Sequence, residues 1–137
     1  MTRFLRSGIP VLVFIAGAFH FLLVGATVKF FRPSRAGEAS PGDVFIDPVR
    51  RGLMLFVLGS GFVVMLNART IAAGGPLAVS LCFLLSSVFA YRWYVQLFQF
   101  SRCLRLGSSR FVHRVIVFTC GFSSLVYGYT AFVLFVQ

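Results

Sequence analysis

The chain reads as an all-α, polytopic membrane protein: four transmembrane helices in a small bundle, with an interfacial amphipathic extension after the third. Three observations predict this. Four runs, 7–28, 52–68, 70–91 and 115–137, contain no Asp, Glu, Lys or Arg and are 22, 17, 22 and 23 residues long. A helix rises ~1.5 Å per residue, so a hydrocarbon core of ~30 Å needs about 20 residues. Three runs reach that length and the second falls at the short limit. Composition agrees: 58% of residues are hydrophobic, 17% aromatic and 12% charged, whereas charged residues make up about a quarter of a soluble chain. Finally, the basic residues gather at the ends of the apolar runs, where Arg and Lys anchor helices and meet anionic headgroups.

A single domain over 1–137 follows, with helices at about 8–31, 48–67, 76–100 and 110–136 and one sizeable loop at 32–47. Ser7 suits the N-cap of helix one, with Pro10 in its first turn, where a missing N–H costs little. The segment imitates a signal peptide, but Lys29, Arg32 and Arg35 follow at once and favour a retained helix. Asp47-Pro48 reads as N-cap and N1 of helix two. Gly74-Gly75-Pro76 turns the chain into helix three, which meets an interfacial belt at Tyr91-Arg92-Trp93-Tyr94. Beyond it Gln96, Gln99, Arg102 and Arg105 recur every third residue, the pattern of a helix lying along the interface. Ser109 can cap helix four.

The formal charge of +10 does not signal nucleic acid, because that reading needs a basic face on a soluble fold. It sets orientation instead. Nine bases lie in loops one and three with their helix ends, against Arg3, Arg6 and Arg69 on the other side. Loops one and three are therefore expected on the matrix or cytoplasmic side, with both termini opposite. The acid-free, Arg-bearing start makes the mitochondrial inner membrane the expected location.

No constellation for catalysis appears. Cys82, Cys103 and Cys120 stand alone, without metal or disulfide spacing. Glu38, Asp43 and Asp47 all fall near the first loop, so no carboxylate serves a coupled transporter at mid-membrane. His20 sits near the midplane of helix one and His113 near an interface, depths that do not suit two ligands of one haem. His20 alone remains a candidate cofactor-binding residue, for a haem completed by a partner chain; the bland reading is a neutral imidazole bonded to a neighbouring helix.

Small residues suit close helix packing: Gly17, Gly25, Gly59, Gly61, Gly121, Ser124 and Gly128, the pair Ser124 and Gly128 having small-x-x-x-small spacing. Arg50, Arg51, Arg102, Arg105, Arg110 and Arg114 suit an anionic phospholipid such as cardiolipin. The stretch Ser7-Gly8-Ile9-Pro10-Val11-Leu12 resembles single-span cytochrome oxidase assembly factors, over those residues alone. The expected function is a non-catalytic accessory or structural subunit of a larger membrane complex, with a respiratory-chain complex or ATP synthase as host. Its partners are other membrane subunits and the bilayer, with no nucleic acid and no required cofactor. The alternatives are a haem- or quinone-site subunit using His20, and a small channel or transporter.

Overall fold

A computed structural model describes residues 2–30, 41–100 and 109–136, with side chains for 8–27, 49, 51–98 and 111–136. The described residues form five α-helices and no strand: α1 Thr2–Phe30, α2 Pro41–Leu66, α3 Ala68–Ala73, α4 Pro76–Val95 and α5 Ser109–Phe135. A π-helical turn, Gln96–Phe100, prolongs α4.

Three helices are long and apolar enough to cross a membrane, over Gly8–Thr27, Pro76–Phe98 and Phe111–Phe135. The apolar part of α2, Arg51–Leu66, is shorter. At ~1.5 Å per residue it measures roughly 24 Å, less than the hydrocarbon core. The membrane character read from the composition therefore holds, while the count of four spans rests on α2.

Element boundaries differ from the sequence reading in four places. Helix α1 begins at Thr2, so Pro10 lies inside it. Helix α2 begins at Pro41 and continues through Pro48, absorbing residues expected to be loop. At the other end of α2, Asn67 breaks the helix at φ −103° and ψ 14°. Its amide donates to the Val63 carbonyl at 2.9 Å, and the six-residue α3 follows, burying Ala68, Ile71 and Ala72. The sequence offers no signal for α3 beyond those apolar residues, because its length is below what propensity alone sustains. The turn at Gly74 and Gly75, with φ 92° and 121°, needs glycine, since a side chain there meets the left-handed penalty.

The fourth difference concerns the stretch after α4. Gln96 was expected on an amphipathic helix along the interface, yet it is buried and its Nε2 lies 2.9 Å from Nδ1 of His113. An amide inside a bundle needs a partner, and α5 provides one. Residues 101–108, with Arg102 and Arg105, lie outside the described residues, as does most of the 32–47 loop.

The buried positions explain the packing. Helix α1 buries Ile9, Val13, Ala16, His20 and Leu23; α5 buries Ile116, Cys120, Ser123, Tyr127, Thr130 and Leu134. Both series step by four and three residues alternately, the spacing that keeps one seam of a helix against its neighbour in a left-handed bundle. Helix α2 packs on α1, α1 on α5 and α5 on α4, so the long helices follow the spatial order α2–α1–α5–α4. Large apolar residues such as Leu55, Phe56, Phe62, Phe83, Leu84, Phe118 and Phe132 are exposed. In water that surface would aggregate; against lipid tails it is ordinary.

Candidate functional site

The site begins where α1 and α2 touch. A Cβ at Gly17 would lie 3.0 Å from the Gly61 carbonyl oxygen, and a Cβ at Gly61 would lie 2.9 Å from the Gly17 carbonyl oxygen. The two glycines thus remove the side chains that would hold the backbones apart. That approach brings the next turn of α1 into α2, and His20 is the residue it carries.

His20 has no exposed surface. Its Nδ1 lies 3.2 Å from both the Val57 carbonyl oxygen and Ser60 Oγ, while Nε2 lies 3.0 Å from the Tyr127 hydroxyl. The proton positions follow from the partners. Val57 O only accepts, and the Ser60 hydroxyl already donates to that carbonyl at 2.9 Å. Nδ1 therefore carries the hydrogen and donates, Nε2 accepts, and Tyr127 O–H donates to it. The ring is satisfied on both edges as a neutral imidazole.

Aromatic contacts complete the enclosure. The Phe89 ring lies 4.7 Å from the imidazole by centroids, and the Tyr127 ring 5.9 Å away and nearly perpendicular. One side chain of α1 consequently meets α2 through Val57 and Ser60, α4 through Phe89, and α5 through Tyr127. Alongside, Phe19 meets Phe122 edge-on at 4.9 Å.

A second polar seam joins α4 to α5. Ser86 Oγ donates to the Ser124 carbonyl at 3.0 Å and Ser124 Oγ donates to the Ser86 carbonyl at 3.1 Å. The reciprocal pair needs close backbones. Gly128 supplies room, as its Cβ would stand 3.0 Å from Ser86 Oγ, and two turns away a Cβ at Gly121 would stand 3.2 Å from the Trp93 indole. Interhelical bonds in membranes average about 0.6 kcal/mol. We therefore expect Ser86→Ala with Ser124→Ala to lower stability by about 1 kcal/mol in reversible unfolding from mixed micelles.

Two buried hydroxyls, Ser123 Oγ and Thr130 Oγ1, have no partner among the described residues. They flank Tyr127 by one turn on either side, and a rotation about χ1 can direct a helical hydroxyl to the carbonyl four residues earlier. Cys82 and Cys120 are buried free thiols. Among the described residues no three His, Cys, Asp or Glu side chains gather as metal ligands.

The structure separates the residues singled out by sequence. Gly17 and Gly61 flank His20, and Gly121, Ser124 and Gly128 line the α4–α5 seam, whereas Gly25 and Gly59 have nothing within 4 Å of a built Cβ. Arg51 and Arg114 are exposed. The side chains of Arg50, Arg102, Arg105 and Arg110 lie outside the described residues. Sequence reasoning missed Tyr127, Ser60 and Phe89 as companions of His20. Tyr127 shares the four-three seam of α5 with Ser123 and Thr130, and that polar series inside an apolar run was the available signal.

Compared with protein families, curated proteins and solved structures, the chain matches none.

Proposed function

We propose that this chain is a non-catalytic accessory subunit of a larger membrane assembly, with α2 as a fourth span. One observation carries the reading. The polar cluster at the bundle centre is closed on itself, with both His20 nitrogens taken by Val57, Ser60 and Tyr127. It holds helices together and leaves no edge of the ring for a substrate. Ligation of a haem by His20 would require Nε2 to leave Tyr127. The four-span reading is supported by the antiparallel course of α2 along α1, from Met65 beside Gly17 to Val57 beside His20. The finer proposal is a structural subunit of a respiratory-chain complex or ATP synthase in the mitochondrial inner membrane. Loops one and three would face the matrix, and their arginines would meet cardiolipin or acidic partners.

The test is purification of the tagged chain in mild detergent, followed by mass spectrometry. Stoichiometric recovery of several other membrane subunits is expected; a chain that elutes alone and conducts ions or solutes in liposomes would replace this reading with the channel one. A haem absorption band lost on His20→Ala would instead favour the electron-transfer reading.

Gly59 gives a sharper discriminator. It is exposed, with nothing near its built Cβ, so Gly59→Leu should leave the thermal stability of the isolated chain within about 0.5 kcal/mol of wild type. A subunit contact there would still lose the close approach that glycine permits. Reduced assembly yield with unchanged chain stability is the expected outcome, measured by native electrophoresis beside a melting curve.

A further inference from the structure

An open, mostly apolar groove of about 410 Å³ lies between the N-terminal half of α1 and the α2–α3 junction, walled by Pro10, Val11, Phe14, Met65 and Leu66 and bordered by Arg69. It sits beyond the Gly17–Gly61 contact, toward the end of the bundle opposite the first loop. Val11, Phe14 and Leu66 are exposed along it. Arg69 is exposed too and has no hydrogen-bond or ion-pair partner among the described residues.

The charged side chains that α1 and α3 contribute at this end are all basic. Arg3 and Arg6 belong to the first turns of α1, at the same end as Arg69, while Asp43 and Asp47 belong to the first turns of α2, at the opposite end. Among the described side chains there is no Asp or Glu to neutralise Arg69. Arg69 lies three residues beyond the apolar stretch that ends at Leu66, which puts it at headgroup depth when α2 lies along the membrane normal.

We propose that this groove holds one anionic phospholipid, its acyl chain against Val11, Phe14 and Leu66 and its phosphate on Arg69. Lipid tails are as apolar as the groove walls, so the walls alone confer no preference among lipids. Selection falls to the headgroup. A planar guanidinium matches phosphate oxygens in a two-pronged geometry, and the net negative charge of the lipid distinguishes it from a zwitterion whose own ammonium competes. The site lies at the opposite end of the bundle from the C-terminal end of α1 and the N-terminal end of α5.

The experiment is native mass spectrometry of the full chain in micelles containing equal phosphatidylglycerol and phosphatidylcholine. The wild-type chain should retain one phosphatidylglycerol in preference to phosphatidylcholine. In Arg69→Gln that preference should fall roughly fivefold, the factor for one basic side chain near an anionic surface. Val11→Trp, which fills the groove from an exposed position, should expel the bound lipid. Melting curves in the same micelles should show both variants folded, since each changes an exposed side chain. Equal retention of the two lipids by wild type, unchanged selectivity in Arg69→Gln, or unchanged occupancy in Val11→Trp overturns the proposal.

Discussion

Gly61→Ala should be the most damaging single-methyl change in the chain. The added Cβ would stand 2.6 Å from the Cβ of His20 and 2.9 Å from the Gly17 carbonyl oxygen. Neither atom is the far end of a flexible side chain, so relief requires α1 and α2 to separate. Overpacking of this kind costs about 1–3 kcal/mol, occasionally more, and here separation also lengthens the bonds from His20 Nδ1 to Val57 and Ser60. We expect a loss of about 3 kcal/mol in unfolding from mixed micelles, and a poor yield of folded protein. Gly59→Ala, two residues away and facing open space, is the matched control and should change stability by less than about 0.5 kcal/mol. Equal behaviour of the two variants would rule out the close approach at Gly61.

His20→Ala should rank beside it, for a different reason. Removing a fully buried ring leaves a void bounded by Phe89, Tyr127 and α2. Large-to-small changes in cores cost about 2–5 kcal/mol. Within a bilayer the water-transfer part of that cost is missing, leaving lost dispersion contacts, so a value near 2–3 kcal/mol is expected at the lower end of that range. Tyr127→Phe keeps the packing and removes one hydrogen bond, so it should cost about 1 kcal/mol. The comparison decides what His20 does. A large loss in His20→Ala with a small one in Tyr127→Phe means packing dominates the cluster. Comparable losses would give the hydrogen-bonded network the larger part. The double variant measures their coupling, expected at about 1 kcal/mol because the two side chains share a bond.

Much of the architecture is legible in the sequence. Charge-free runs of membrane length, Arg at their ends and Gly-Gly-Pro at 74–76 place the end of α1, the start of α4 and both ends of α5 within one residue, because hydrocarbon demands helices and excludes charge. The boundaries of α2 were not legible. Pro41 and Pro48 are both acceptable starts, and the choice between them lies outside local propensity. Gln96 was misjudged for a related reason. A three-residue polar period describes a face, but says nothing about whether water or another helix covers it.

The candidate site shows the same division. His20 stood out from the chain alone, as an imidazole inside a long apolar run. Its partners did not, since Ser60 and Tyr127 lie 40 and 107 residues away and no periodicity links positions on separate helices. Glycine at 59 and 61 makes the point most simply. Successive helical residues turn by about 100°, so these two point to nearly opposite sides. Sequence by itself established that α2 has a small-residue centre and that the chain belongs in lipid. Only the tertiary structure decided that Gly61 meets His20 while Gly59 faces outward, because the rotation of a helix about its axis is set by whatever packs against it.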